Sequence, residues 1–169
     1  MNTTVLSEKE DLSSFFCTDA DLNEYFHQDA LKDHQNLYSV THLVKSHEKI
    51  IGFFTLVTDT IQLDWVDESL FPDFDYRKLP AVKIARLATH RDYERRGIGK
   101  YMIIDIFRRV SNVTLDIGCC VITVDAKRDA VGFYEKYAFR KVAIHLKQDT
   151  EVMYLNIKQL IEDICDGNA

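Results

Sequence analysis

Apolar residues follow two kinds of spacing along this chain, and the two kinds come in alternating blocks. From Val82 to Thr89 apolar residues fall on both parities, with one arginine among them, which predicts a strand buried on both faces. Ile98 to Val110 carries apolar residues at steps of three and four, the stripe of an amphipathic helix. Cys119 to Asp125 is a second apolar run typical of a buried strand, and helical spacing returns from Ala130 to Tyr137. The second half of the chain therefore predicts strand, helix, strand and helix, in that order.

The first half of the chain predicts a helix followed by a hairpin. Asp19 or Asp21 can cap a helix that runs to about Lys32, because an aspartate oxygen accepts from the free N–H groups of a first turn. Tyr38 to Lys45 and Ile50 to Val57 are strand-like runs joined by four polar residues, a length that suits antiparallel pairing.

The remaining segments predict smaller elements. Thr60 to Pro80 mixes aromatic and acidic residues without a clean period, and we predict a partly helical, partly irregular insertion there. Arg140 to Leu146 and Glu151 to Ile157 predict another hairpin, and the apolar residues from Leu160 to Ile164 predict a short closing helix. The elements add up to an α/β fold around a mixed sheet.

Length and composition narrow the class of protein. The chain has 169 residues, 46% of them hydrophobic, and no linker-like segment, which predicts a single domain over residues 1–169. No apolar run approaches the roughly 20 residues of a membrane span, and the polar N-terminus lacks a secretion signal, which predicts a cytoplasmic protein with no membrane partner. Four cysteines without paired Cys-x-x-Cys spacing predict free thiols and no metal site: Cys17, Cys119, Cys120 and Cys165.

The segment from Tyr93 to Lys100 joins the first buried strand of this half to the following helix, and its composition suits an anion. The first N–H groups of a helix point out of its N-terminus, and Gly97 and Gly99 remove Cβ atoms that would keep a phosphate away. Both glycines also tolerate the backbone angles of a tight entry turn. Three basic side chains of the segment can add charge-assisted contacts: Arg95, Arg96 and Lys100. Neither a Walker loop nor a three-glycine dinucleotide pattern is present, so the segment predicts a phosphorylated cofactor of another kind.

From Val82 to about Val142 the chain resembles the acyl-CoA-binding core of the GNAT family of N-acetyltransferases. The family signature, a Gln/Arg-x-x-Gly-x-Gly/Ala turn between a strand and a helix, is matched by the turn that ends at Gly99. A second family motif, Asn-x-x-Ala-x-x-Phe-Tyr-x-x-x-Gly-Phe, is matched at four positions: Ala130, Phe133, Tyr134 and Phe139. The resemblance implies a GNAT fold, with a mixed, mostly antiparallel central sheet of six to seven strands flanked by helices. It also implies acetyl-CoA as cosubstrate and no metal.

The resemblance implies roles for individual residues as well. Tyr134 corresponds to the family's tyrosine beside the thioester and is the expected general acid, since a phenol with a reference pKa of about 10 is protonated at neutral pH. Taken alone, Tyr134 would be an ordinary core aromatic at helical spacing. The residues expected to hold the cofactor, through main-chain groups and side chains, are Leu87, Ala88, Thr89, Arg95, Arg96, Gly97, Ile98, Gly99, Lys100 and Phe133.

Two positions depart from the family pattern, and no general base is identified. Glu94 stands where Gln or Arg is usual, which leaves pyrophosphate binding to the backbone and its basic neighbours. Ala138 replaces the usual glycine, and a left-handed residue there would cost on the order of 1 kcal/mol. His90 is a weak candidate base, because an isolated exposed histidine is the usual case. Asp125 could orient the amine or a water, or cap the following helix.

The sequence leaves the acceptor amine open. Phe16 to Phe26 and the strand Ala85 to Ala88 are similar to acetyltransferase toxins that modify aminoacyl-tRNA, which would make tRNA and an antitoxin protein partners. The net charge of −6 and the acidic run Asp64 to Asp75 argue instead for a polyamine or a lysine-bearing protein. Three classes remain: an acetyl-CoA-dependent N-acetyltransferase whose primary amine attacks the thioester directly, a tRNA-directed toxin, and a non-catalytic acyl-CoA-binding module. A homodimer is left open too.

Overall fold

The structure is a computed structural model that describes residues 1–144 and 149–165. Contacts within the chain divide it into two compact units. Unit 1 comprises Met1–Val57 and Ile84–Ile106, and unit 2 comprises Thr58–Lys83 and Phe107–Ala169. The prediction of a single domain is not tested by this division.

Helices and strands alternate in the order that an α/β fold requires. In chain order they are β1 (Asn2–Val5), α1 (Ala20–Gln28), α2 (Ala30–Gln35), β2 (Val40–Ser46), β3 (Lys49–Gln62), β4 (Lys78–Thr89), α3 (Ile98–Val113), β5 (Val121–Lys127), α4 (Val131–Glu135), β6 (Arg140–Lys141), β7 (Thr150–Asn156) and α5 (Ile157–Cys165). Within the described residues the strands form a seven-stranded sheet in the order β1-β2-β3-β4-β5-β7-β6. The predicted fold class, a mixed sheet of six to seven strands flanked by helices, is confirmed.

Unit 1 begins with an antiparallel meander. The predicted hairpin is confirmed as β2 and β3, although β3 runs five residues beyond the predicted end at Val57. Strand β1 pairs antiparallel with β2 and was missed by the sequence pattern, because its four residues are too few to show a period. Of the two candidate caps, Asp19 is the N-cap of α1, and its Oδ1 accepts from the Leu22 N–H at 3.1 Å. The predicted single helix to Lys32 is two helices that meet at Asp29.

Three phenylalanines lie at the centre of the unit 1 core. Phe15, Phe26 and Phe53 are fully buried, and the ring of Phe26 stacks on that of Phe53 with centroids 4.4 Å apart. Phe15 packs on both, at 4.7 Å from Phe26 and 5.3 Å from Phe53. Aromatic pairs at such distances stabilise a core beyond the area they bury. This cluster fixes α1 against β3.

Unit 2 has its own antiparallel strands and its own core. Strand β7 pairs antiparallel with β5 and with β6. The pairing of β6 with β7 confirms the second predicted hairpin in part. Strand β6 is only two residues long, and residues 145–146 of the predicted strand lie outside the described part of the chain. The predicted insertion from Thr60 to Pro80 is shorter than expected, since β3 and β4 occupy both of its ends. Two 3₁₀ turns, Leu63–Trp65 and Glu68–Leu70, fill the middle. The core of the unit contains Ile61, Val66, Leu79, Ala81, Val121 and Tyr154.

Helix α4 ends in a Schellman motif built on an alanine. Ala138 has φ of +63°, and its N–H donates to the Glu135 carbonyl at 3.2 Å. The Phe139 N–H donates to the Tyr134 carbonyl at 3.3 Å, and the two rings pack edge to face at 5.4 Å, which is the apolar contact that accompanies this motif. Ala138 therefore occupies the left-handed position at which glycine is usual.

Replacing Ala138 with glycine is expected to stabilise the protein by up to about 1 kcal/mol, because glycine carries no Cβ strain in this region. For a chain of this size that corresponds to a rise in Tm of about 2–4 °C. Ala143→Gly is the matched control, since Ala143 is exposed and outside the left-handed region, and it should lower Tm slightly. Equal Tm changes for the two variants in thermal denaturation would contradict the strain argument.

Candidate active site

The turn before α3 has the backbone that an anion site needs. A 3₁₀ turn, Arg91–Tyr93, leads into two left-handed residues, Arg95 with φ of +58° and Gly97 with φ of +83°. A Cβ added at Gly97 would meet nothing within 4 Å, so the position requires glycine for its conformation and is open on that side. Helix α3 starts at Ile98, and its first N–H groups have no acceptor inside the helix. The predicted role of Gly97 in a tight entry turn agrees with this geometry.

A second glycine, on β3, lets the helix start lie close to the sheet. A Cβ added at Gly52 would lie 3.1 Å from Ile98 Cγ2, 3.2 Å from the Ala88 carbonyl oxygen and 3.2 Å from Met102 Sδ. These contacts join β3, the end of β4 and the first turn of α3. Gly52 was not singled out by the sequence, because nothing local marks a close approach between segments that lie far apart in the chain.

Gly52→Ala is expected to weaken acetyl-CoA binding and to lower Tm, because the Ala88 carbonyl and the side chains of Ile98 and Met102 must give way to the methyl group by a few tenths of an ångström. The overpacking should destabilise the protein by about 1–3 kcal/mol. Gly118→Ala serves as the control, since a Cβ there meets nothing within 4 Å. Thermal denaturation and titration of acetyl-CoA measure the two effects. A Gly52→Ala protein that matched Gly118→Ala in both would contradict this account of the packing.

Charges around the turn fit a phosphate. No acidic residue lies in the first turn of α3. Glu94, the departure from the family pattern, is exposed and its Oε1 accepts from the Thr18 hydroxyl at 3.0 Å. Arg96 and Lys49 place their cationic groups 5.3 and 5.0 Å from the centre of the Tyr93 ring. Lys49 begins β3 and is a cation at this turn that sequence spacing could not reveal.

The end of β4 leads directly into this turn. Leu87 and Thr89 are half-buried, whereas Ala88 is 5% exposed and belongs to the core of unit 1. The N–H of His90 donates to the Ile51 carbonyl at 2.9 Å, which pins the end of β4 to β3. The residues expected to contact the cofactor from Leu87 to Lys100 therefore all lie in unit 1.

His90 differs from the exposed histidine that the sequence suggested. Its side chain is buried, and its Nδ1 accepts from the Asp92 N–H at 3.1 Å. Its Nε2 lies 3.2 Å from the Ser14 carbonyl oxygen, and its ring packs edge to face on Phe15. Both ring nitrogens therefore have main-chain partners, and the side chain holds the turn in place.

Tyr134 lies in α4, in unit 2, together with Phe133. Its side chain is 6% exposed and packs edge to face on Phe133 and Phe139, with ring centroids 5.1 and 5.4 Å away. Burial raises the pKa of Tyr134 well above its usual value, because an apolar environment disfavours the phenolate. The phenol is therefore protonated throughout the physiological range.

Asp125 and the cysteines have structural surroundings. Asp125 Oδ1 lies 3.0 Å from Lys83 Nζ. The suggestion that Asp125 caps the next helix is wrong, because β5 continues through Lys127. Cys119 and Cys120 precede β5 instead of lying inside it, since the strand begins at Val121. Burial raises the pKa of both thiols, that of Cys120 to about 11.

The described residues were predicted to contain free cysteines and neither a metal site nor a membrane span. Cys17, Cys119 and Cys120 are free thiols, as predicted, while the side chain of Cys165 lies outside the described part of the chain. Across residues 1–144 and 149–165 no cluster of three metal-ligating side chains occurs. None of the described helices has the length and apolar character that a membrane crossing requires.

Known proteins resemble this chain in sequence and in fold. The acetyltransferase (GNAT) domain matches residues 9–152. A tRNA-acetylating toxin of Mycobacterium tuberculosis (strain ATCC 25618 / H37Rv) is 25% identical over 138 residues, which cover 79% of this chain and 81% of that protein.

Solved structures with the same fold include those of AtaT and KacT. AtaT complexed with acetyl-methionyl-tRNAfMet superposes with a TM-score of 0.85 at 19% identity, over 96% of this chain and 98% of AtaT. AtaTR bound with AcCoA superposes with a TM-score of 0.80 at 19% identity, over 96% of this chain and 97% of the AtaTR chain. A tyrosine-to-phenylalanine mutant of KacT superposes with a TM-score of 0.85 at 15% identity, over 95% of this chain and 97% of KacT.

The family match and the site agree with one another. The matched residues contain the strand, the glycine turn and the helix of the candidate anion site, as well as the helix that carries Tyr134. The cosubstrate of the family is acetyl-CoA, and the chain is an acetyl-CoA-dependent N-acetyltransferase. Since the domain covers most of its residues, this chain belongs to the GNAT family of acetyltransferases.

Proposed function

We propose that this chain transfers the acetyl group of acetyl-CoA to the α-amino group of aminoacyl-tRNA. The observation that carries the cosubstrate half of the proposal is the open, left-handed Gly97 at the start of α3. The relative from Mycobacterium tuberculosis, a tRNA-acetylating toxin, supports the acceptor half.

In this proposal the backbone of the turn binds the pyrophosphate. The N–H groups of Ile98, Gly99 and Lys100 have no acceptor inside the helix and carry partial positive charge. Side chains of Arg95, Arg96 and Lys100 add charge next to those groups. Backbone groups of Leu87, Ala88 and Thr89 hold the pantetheine arm and the thioester carbonyl, and Phe133 lines the cofactor cavity.

Tyr134 supplies a proton in this proposal. The acceptor nitrogen bonds to the carbonyl carbon of the thioester, the carbon–sulfur bond breaks, and the departing thiolate takes the proton of the Tyr134 hydroxyl. The nitrogen, which carries one proton more than the amide keeps, releases that proton through solvent to the Tyr134 phenolate, so that amide, thiol and phenol are all neutral at the end. The raised pKa of Tyr134 keeps that proton in place before the reaction. The ring contacts with Phe133 and Phe139 fix the direction of the phenol.

The ionisation of the acceptor favours an α-amino group over a lysine or a polyamine. Only the neutral amine attacks, and the side chains considered as bases are otherwise engaged, His90 by main-chain groups and Asp125 by Lys83. An α-amino group with a reference pKa of about 7.8 is roughly 10% neutral at pH 7, whereas an amine with a pKa of about 10.4 is less than about 0.1% neutral. A site without a dedicated base therefore suits the α-amino group of an aminoacyl ester.

The local charge is compatible with RNA although the chain is acidic overall. Residues 84–100 carry five basic and two acidic side chains, against a net charge of −6 for the whole chain. Three of the five basic side chains, Arg95, Arg96 and Lys100, are assigned above to the pyrophosphate, which leaves Arg86 and Arg91 to contact a phosphate backbone. AtaT is also known bound to the C-terminus of the antitoxin AtaR, and we propose an antitoxin partner for this chain and a cytoplasmic location beside its substrate. Residues 1–169 would act as one domain, which the match over residues 9–152 supports.

An acceptor survey tests the proposal. Labelled acetyl-CoA is incubated with the protein and, separately, aminoacylated tRNA, the same tRNA after deacylation, spermidine and lysate proteins. We expect label on the aminoacylated tRNA alone, and mild base that hydrolyses the ester should release it. Label on deacylated tRNA or on lysate proteins would contradict the α-amino acceptor.

A cavity in unit 2 favours polyamines as the second candidate acceptors. Its volume is about 410 Å³, and it is lined by Gln62, Leu63, Asp64, Glu68, Phe74, Asp75, Tyr76 and Arg77. Three carboxylates and two aromatic rings attract an ammonium group. Label on spermidine in the same survey would favour this candidate.

A further inference from the structure

Arg86 is an exposed cation in the middle of a central strand. Strand β4 lies between β3 and β5 in the sheet. Ile84, Arg86 and Ala88 share one face of it, because alternate residues of a strand point the same way. Ile84 and Ala88 are buried on that face, at 2% and 5% exposed, whereas Arg86 between them is exposed. The face of β4 that packs on α1 is therefore open to solvent at Arg86.

The guanidinium of Arg86 is held in a defined position by neighbouring groups. Its Cζ lies 4.8 Å from the centre of the Tyr25 ring on α1. Its Nη1 donates to the Ala85 carbonyl at 2.8 Å. The Tyr25 hydroxyl lies 3.2 Å from Ser39 Oγ, so the ring that supports the guanidinium is itself fixed. A guanidinium has five N–H donors, and one of these is used by Ala85.

A guanidinium that lies over an aromatic ring and has N–H donors left over suits one kind of ligand. Its fork of N–H groups matches the oxygens of a phosphate or carboxylate and repels ammonium groups. Arg86 also directly precedes Leu87, Ala88 and Thr89, the backbone groups proposed for the thioester. Residues two apart in a strand are separated by about 7 Å. An anion on Arg86 would therefore lie near the position proposed for the thioester.

We propose that Arg86, supported by Tyr25, binds a phosphate of the acceptor tRNA and so positions its aminoacyl end. The inference rests on the proposed function and deepens it, because it names the contact that selects a polyanionic acceptor over a polyamine. In the aminoacyl end of a tRNA the amino acid is esterified to the ribose of the last nucleotide. A phosphate therefore lies one nucleotide unit from the reacting amine. Arg86 is a substrate-binding residue and takes no part in proton transfer.

Steady-state kinetics of Arg86→Ala with two acceptors tests the proposal. With aminoacylated tRNA we expect KM to rise about 10-fold, the loss of one charge-assisted contact, while kcat and the KM for acetyl-CoA change little. With an aminoacyl nucleoside that has no phosphate, wild type and variant should behave alike. The slope of log(kcat/KM) against log[salt] should fall in magnitude by about one for tRNA. Arg86→Lys should restore part of the affinity.

The Tyr25 and Lys32 variants are matched controls. Tyr25→Phe keeps the supporting ring and removes only the hydroxyl next to Ser39, so its KM for tRNA should stay within about 2-fold of wild type. Tyr25→Leu removes the ring and should raise that KM about 3-fold. Lys32→Ala removes an exposed positive charge from α2 and should leave both acceptors unaffected.

Two outcomes separate this inference from the proposed function. If wild-type protein acetylates aminoacyl-tRNA and Arg86→Ala has the KM and salt slope of Lys32→Ala, the role of Arg86 is wrong while the function stands. If Arg86→Ala raises KM equally for tRNA and for the nucleoside, the phosphate contact is wrong. If wild-type protein acetylates no aminoacyl-tRNA, the function itself fails and this inference fails with it.

Discussion

Replacing Tyr134 with phenylalanine is expected to lower kcat about 100-fold or more, with little change in the KM for acetyl-CoA. A positioned proton donor contributes roughly 10²–10⁴ to such reactions, and the substitution removes only the hydroxyl. The ring contacts with Phe133 and Phe139 remain, so the fold and Tm should be preserved. Single-turnover acetyl transfer measures the chemical step directly, and the loss should appear there in full.

Tyr137→Phe is the matched control for this prediction. Tyr137 lies three residues after Tyr134, and the centroid of its ring is 5.2 Å from that of Phe133. Its ring packs against Phe133, and the proposed mechanism gives its hydroxyl no role. Its variant should keep kcat within about 2-fold of wild type. Since the pKa of Tyr134 is raised by burial, the phenol should not ionise below about pH 10, and the wild-type rate should show no alkaline decline from this group. Equal kcat in wild type and Tyr134→Phe would contradict the assignment of the proton donor.

Replacing Gly97 with valine is expected to raise the KM and Kd for acetyl-CoA about 10-fold to 100-fold. A β-branched residue is strained by at least about 1–2 kcal/mol at φ of +83°, and the relief of that strain moves the N–H groups of the first turn of α3. Acetyl-CoA at a fixed concentration should then raise the Tm of the variant much less than that of wild type. Isothermal titration with acetyl-CoA provides the Kd.

The valine control is Gly118→Val, at a glycine without positive φ where a Cβ also meets nothing within 4 Å. It should bind acetyl-CoA like wild type. A Gly97→Val protein with unchanged affinity would show that the turn does not hold the pyrophosphate, whatever the fate of the acceptor proposal.

The sequence predicted the elements with local signals. The period of α3, the two-sided apolar character of β4 and the capping carboxylate of Asp19 are each visible within a few residues. Gly97 could be placed in a tight entry turn because glycine tolerates unusual backbone angles, and its φ of +83° is one of them. A left-handed Ala138 was one of the ways in which the sequence allowed this helix to end, because the family has glycine at that position.

Features that depend on distant segments could not be predicted. Gly52 is needed because β3 lies close to α3. Lys49 lies beside the turn before α3 because the start of β3 is near Tyr93. The burial of His90 follows from contacts with Ser14 and Phe15, about 75 residues earlier in the chain. Strand β1 exists because it pairs with β2, and its own residues carry no period. These features depend on tertiary contacts, and the residues that neighbour each of them in the sequence do not predict such contacts.

Identification of the acetylated atom tests the central claim most directly. Aminoacylated tRNA is incubated with labelled acetyl-CoA and the protein, digested to its terminal nucleoside and analysed by mass spectrometry. Acetylation of the α-amino group predicts an N-acetyl-aminoacyl adenosine, with Tyr134→Phe giving about 1% of the wild-type initial rate. Label on a nucleobase, or an unmodified aminoacyl adenosine, would contradict the claim.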